Sequence, residues 1–128
     1  LDQLFLPSCF VIIEIVKSVE GVTRVEEIKT ITPEEVKNQL REGKNLHLID
    51  VREDDEVAEG MIPKAVHIPM GEIPDQLDQL NRDNEYILVC RSGGRSGRVC
   101  EYLMEQGLNV KNMVGGMLEW TGPQEPKR

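Results

Sequence analysis

The stretch Tyr86-Ile87-Leu88-Val89-Cys90-Arg91-Ser92-Gly93-Gly94-Arg95-Ser96 decides the fold class and carries the chemistry. Its first four residues are apolar, continuous and bounded by polar ones, as in a strand buried on both faces. A helical pattern follows, with Val99 and Leu103 on one face, Tyr102 beside them and Gly107 as the stop. The segment therefore reads as strand, short loop, helix. Ligands in open parallel sheets bind outside the carboxyl ends of the strands, where this loop lies.

The same alternation continues on both sides. Upstream, Ile28 to Ile31 is a short strand candidate. Thr32-Pro33-Glu34-Glu35 then starts a helix, with Thr as cap, Pro at the first helical position and Glu three residues after the cap. Val36 and Leu40 share its apolar face, and Gly43 ends it. Leu46 to Asp50 reads as a strand, Glu53 to Glu59 as a short acidic helix and Ala65 to Ile68 as a further strand. Ile73, Leu77 and Leu80, at i, i+4 and i+7, predict another helix. Downstream, Val110 to Val114 is a last strand before Gly115-Gly116 and the segment MLEWTG. Alternating strands and helices imply an α/β domain whose mostly parallel sheet is covered on both faces.

The chain has 128 residues, room for one domain. With 15 basic and 23 acidic side chains, its formal charge is −8. Nucleic acids and anionic membranes are therefore not expected as partners, because phosphate binding needs clustered Lys and Arg. A small anionic substrate at a local basic patch is compatible with that charge. The three cysteines, Cys9, Cys90 and Cys100, form no disulfide framework and no Cys-x-x-Cys pair. His47 and His67 both fall in strand-like runs, so no metal site is expected. Residues 1–25 read as a leader, with an extra strand or an interaction segment as alternatives. Their apolar run is too short for a membrane span of about 20 residues and lacks the marks of a signal peptide. Residues 26–122 form the domain, and 123–128 a frayed tail. A free cysteine and the lack of signal-peptide marks favour the cytoplasm as the expected compartment.

The loop explains what that domain is for. Gly93 and Gly94 let the backbone curl until its N–H groups face inward, a nest suited to an anion. The next helix adds the positive end of its dipole. A cysteine at the base of such a cup is biased toward the thiolate. Arg91 and Arg95 are read as steering an anionic substrate, against the plainer alternatives of solvated side chains or a salt bridge. Ser92 and Ser96 supply loop hydrogen bonds, Ser96 as a helix cap. A Cys at a strand end is also a common small core residue, which leaves the loop alone evenly balanced between the two readings. Cys100, inside a helical run and without a glycine cup, is read as structural.

Three ordered motifs resemble the rhodanese family. Asp50-Val51-Arg52-Glu53 with Glu59-Gly60-Met61-Ile62-Pro63 through Pro69 looks like its first signature. Cys90 to Ser96 looks like its active-site loop, and Gly115-Gly116-Met117-Leu118-Glu119-Trp120 like its closing signature. Together they cover roughly residues 28 to 121. Met61 departs from the family's usual His after the glycine, at a position that looks structural.

The resemblance implies a rhodanese-like three-layer fold with a five-stranded parallel sheet flanked by helices. It also implies a Cys90 persulfide that carries sulfur from a small anionic donor such as thiosulfate to cyanide or a thiol. No cofactor is called for. Asp50 and Arg52 are expected to organise backbone near the site, and Trp120 to pack on the sheet edge. Phosphatases of the same fold have Cys-x5-Arg; here Arg95 gives Cys-x4-Arg, a smaller cup, although Arg98 leaves that alternative open. A sulfur carrier fed by a relay protein, or an inactive interaction module, are the other readings.

Overall fold

A computed structural model of the protein describes residues 15–19 and 22–127, with side chains from residue 27 onward. Strands β1 (Ile15–Val19) and β2 (Val22–Glu26) form an antiparallel pair, with Ile15 opposite Glu26 and Val19 opposite Val22. All of β1, and β2 up to Val25, fall in the stretch read as a leader. The rest of that stretch, including Cys9, lies outside the described residues.

From β3 (Lys29–Ile31) the chain alternates as expected. Helix α1 (Pro33–Arg41) starts with the full capping box. Thr32 Oγ1 accepts from the Glu35 amide at 3.1 Å, and Glu35 Oε1 accepts from the Thr32 amide at 2.9 Å. Strand β4 (His47–Asp50), helix α2 (Asp54–Glu59) and strand β5 (Val66–His67) follow. Then come β6 (Glu85–Val89), α3 (Gly94–Glu105) and β7 (Asn109–Met113). Strands β3, β7, β6, β4 and β5 lie side by side in that order, and every neighbouring pair is parallel. All their carboxyl ends therefore share one edge of the sheet.

The period-two alternation of β6 sorts the core into two layers. Tyr86, Leu88 and Cys90 face one side with Ile49, Val99, Cys100 and Leu103, beneath α3. Ile87 and Val89 face the other with Val36, Leu48, Met113 and Trp120, beneath α1. The expected three layers and five parallel strands are present. Trp120 is buried on the sheet, and its Nε1–H donates to Pro123 O at 3.0 Å.

Two expectations fail. The helix expected from Ile73 to Leu80 is instead a pair of 3₁₀ segments, Met70–Glu72 and Pro74–Gln79. Pro74 has no N–H for the Met70 carbonyl, so the chain winds with i to i+3 bonds such as Gln76 N to Ile73 O and Leu80 N to Leu77 O. Ile73, Leu77 and Leu80 still reach the α3-side core, so the apolar spacing marked the buried face but not the helix type. The tail read as frayed is docked. Met61 and Glu125 exchange backbone bonds of 2.8 and 2.9 Å, and Lys127 N donates to Val57 O. Backbone groups in and just after α2 supply the partners that hold it.

Candidate active site

Cys90 follows directly on β6, at the edge where all the parallel strands end. Its side chain is fully buried. Gly93, in the left-handed region at φ +100°, turns the loop sharply enough for its own N–H to reach back to Cys90 Sγ at 3.0 Å. Ser96 Oγ lies 3.3 Å from the same sulfur. Burial pushes the thiol up, but the Ser96 hydroxyl and the amides of Ser96, Gly93 and Ser92 outweigh it, holding Cys90 below the ordinary thiol range. Cys100 has no such donors among the described residues. Burial, helped by the nearby Cys90 charge, pushes it up to about 12. Two cysteines on the same side of the sheet thus have opposite character.

The closing signature builds the back of the cup. Met117 N donates to Cys90 O at 2.8 Å and Leu118 N to Arg91 O at 2.9 Å. With those carbonyls tied outward, the loop amides are free to face the sulfur. Gly116, at φ +60°, passes so close that a Cβ would collide with the Cys90 and Arg91 carbonyls. A Cβ on Gly93 would lie 3.2 Å from Gly115 N. The active-site loop and the Gly-Gly segment fit only as backbone against backbone.

The sequence-derived site residues separate into groups. Cys90, Ser92, Gly93 and Ser96 converge on the sulfur. Gly94 is the first residue of α3, so Ser96 sits inside the first turn and does not cap it; Gly93 is the cap. Arg91 is exposed at the mouth and makes no ion pair among the described residues. Arg95 does: its Nη1 and Nη2 lie 2.8 and 2.9 Å from the two carboxylate oxygens of Glu56. The Arg95 bonds hold Glu56 down at about 2.

Asp50 and Arg52 form a buried pair. Asp50 accepts from Arg52 Nε at 3.0 Å, Nη2 at 2.9 Å and backbone N at 3.1 Å, while Arg52 Nη2 also donates to Gly60 O at 2.7 Å. They pin the end of α2 to β4, one strand from Cys90.

Two residues escaped the sequence reading. Glu56, which the sequence shows only as part of a short acidic helix, anchors Arg95. Asn112, buried on β7 opposite Leu88, places Oδ1 2.5 Å from Ser96 Oγ and donates from Nδ2 to Gly93 O at 3.1 Å. Its only sequence signal was a polar residue within a buried strand.

A match to the rhodanese-like domain family spans residues 32–123, and with it all three motifs. The chain belongs to the rhodanese-like family. It is 54% identical over 101 residues to YtwF of Bacillus subtilis, provisionally named a sulfurtransferase, covering 79% of this chain and 98% of that protein. It is 37% identical to a sulfurtransferase of Allochromatium vinosum, covering 73% of this chain and 88% of the relative. Among solved structures, a rhodanese-like domain protein from Staphylococcus aureus superposes with a TM-score of 0.75 at 44% identity, covering 79% of this chain and all of that one. No helix among this chain's described residues is long and apolar enough to cross a membrane.

Proposed function

We propose that this rhodanese-like chain is a sulfurtransferase that moves a sulfane sulfur through a persulfide on Cys90. The observation that carries the reading is the convergence of the Gly93 amide and the Ser96 hydroxyl on a buried Sγ whose thiolate is thereby favoured. The Cys90 thiolate attacks the outer sulfur of a donor such as thiosulfate. The new S–S bond forms as the old one breaks, and sulfite leaves with the electron pair. The loop N–H groups then face the terminal sulfur of the persulfide, where charge develops. An acceptor, cyanide or a thiolate, attacks that terminal sulfur and returns Cys90 as thiolate. Arg91 at the mouth attracts the anionic donor. A protein partner in a sulfur relay fits the same chemistry as donor or acceptor, and a cytoplasmic setting keeps the thiol reduced.

The phosphatase reading loses support from Arg95. Both prongs of its guanidinium are engaged by Glu56, where a phosphoryl group would need them free. The carrier reading gains from the same pair, since a matched Arg95 attracts a small dianion less than a free one.

The test is thiosulfate-dependent sulfur transfer to cyanide and to dithiothreitol, with Cys90→Ser and Cys100→Ser, and p-nitrophenyl phosphate hydrolysis alongside. Turnover lost in Cys90→Ser and kept in Cys100→Ser is expected, with a +32 Da adduct on Cys90 after donor loading. Cys90-dependent phosphate release without sulfur transfer would overturn the assignment. Adduct formation without thiosulfate turnover would select the carrier.

A further inference from the structure

Ser96 has a single hydroxyl proton and two neighbours that need it. Cys90 Sγ lies 3.3 Å away and Asn112 Oδ1 2.5 Å away. The orientation of the Asn112 amide is fixed, because its Nδ2 must face the Gly93 carbonyl, 3.1 Å distant; the reverse orientation would set two acceptors against each other. Oδ1 can therefore only accept, and the Ser96 proton must point either to Asn112 or to the sulfur. With Cys90 as thiol, everything is satisfied when S–H donates to Ser96 Oγ and Ser96 O–H donates to Asn112. With Cys90 as thiolate, the hydroxyl must rotate to the sulfur, and a buried carbonyl on Asn112 loses its donor.

We propose that Asn112 is a positioning residue that competes with the Cys90 sulfur for the Ser96 proton and so sets how readily the nucleophile is formed and released. The competition also works in the second half of the reaction. When the terminal sulfur leaves Cys90 as thiolate, a Ser96 proton drawn back to Asn112 leaves that thiolate more basic than a Ser96 proton held on the sulfur would. The inference rests on Cys90 acting as the thiolate nucleophile, but it concerns a different residue and a different readout.

Other ionisable groups near the sulfur come from several elements. On α3 and its loop they are Arg91, Arg95 and Cys100; Glu53 and Glu56 approach from the start of α2. The Asp50–Arg52 pair closes the neighbouring strand, and Glu119 lies over Gly115. None of them bonds to Asn112 among the described residues. Substitution at Asn112 leaves their contributions in place.

The test is the pH dependence of Cys90 alkylation by iodoacetamide, followed by peptide mass spectrometry, in Asn112→Ala, Asn112→Asp, Ser96→Ala and the Asn112→Ala/Ser96→Ala double variant. Freed from Asn112, the Ser96 proton goes to the sulfur, so Asn112→Ala lowers the apparent Cys90 pKa by about half a unit to one unit. Asn112→Asp holds the proton more tightly and raises it. Ser96→Ala raises it as well, and in that background the Asn112→Ala effect vanishes. A purely structural Asn112 predicts the opposite: loosening the loop would raise the pKa in Asn112→Ala and add to Ser96→Ala. That pattern overturns the proposal. If Asn112→Ala does not fold, Asn112→Asp with and without Ser96→Ala decides, since a rise that persists undiminished without the Ser96 hydroxyl contradicts the proposal. Should Cys90 show no enhanced alkylation in the wild type, the nucleophile reading itself fails, whatever Asn112 does.

Discussion

Arg95 and Glu56 stand 39 residues apart in the chain and meet as a two-pronged ion pair, joining the first turn of the helix behind the active-site cysteine to the short acidic helix α2. The pair balances an arginine of the loop whose charge reaches Cys90. It also decides what the site can ask of that arginine. A guanidinium with both prongs occupied is an anchor for the loop before it is a receptor for substrate.

Glu56→Gln keeps one acceptor but removes the charge, leaving Arg95 electrostatically free. The KM for thiosulfate is expected to fall about threefold to tenfold with kcat little changed. A rise in KM would show that the intact pair shapes the donor site. Steady-state kinetics over a range of thiosulfate concentrations separates the two.

The same variant has a pH signature. Glu56 is held at about 2 in the folded protein, below the ordinary 4.5, so its contribution to stability is fully present above pH 4.5 and is lost as pH falls toward 2. Both side chains are partly exposed, which reduces the effect to about 1 kcal/mol. Wild type should melt above Glu56→Gln at pH 6, and the gap should close between pH 4.5 and 2. Thermal melts across that range test it.

Gly116→Ala places a methyl group against the Cys90 and Arg91 carbonyls at a backbone angle that L residues rarely adopt. The loop must retreat, and the amides that it aims at the sulfur go with it. The expected result is a loss of roughly 2 kcal/mol of stability and at least about tenfold in sulfur transfer. Urea unfolding and the cyanide assay read the two effects separately. Retained activity would show that the loop does not depend on the Gly-Gly backbone.

Arg52→Ala leaves the Asp50 carboxylate buried without its cation and removes the bond to Gly60 O. Breaking a buried pair in this way costs about 3 to 5 kcal/mol. Urea denaturation should show that loss, while turnover per folded molecule stays near wild type because neither residue bonds to Cys90 among the described residues. A selective loss of turnover would make the pair part of the chemistry.

What the sequence revealed and what it hid follow the range of each interaction. Thr32 and Glu35 are three residues apart, and their capping box was readable from spacing alone. The apolar run Tyr86–Val89 and the glycines of the loop placed the sheet and the cup, because those signals are local. Ile73, Leu77 and Leu80 marked a buried face, but the apolar spacing could not show how Pro74 would retune the backbone. Glu56 with Arg95, Asn112 with Ser96 and Met61 with Glu125 join residues distant in the chain. Nothing in the local pattern of either member names its partner. The family resemblance pointed to Cys90, yet it was the three-dimensional pairing that joined Arg95 to α2.

The amides of Met117 and Leu118, which tie back the carbonyls of Cys90 and Arg91, come well after that loop in the chain and are made later than it. A nascent chain that has exposed Cys90 but not yet Gly115–Leu118 carries an ordinary cysteine with no cup around it. Activation of the thiol is thus timed to the completion of folding. A truncated or stalled product ending before Gly115 would reach the cell without a primed nucleophile.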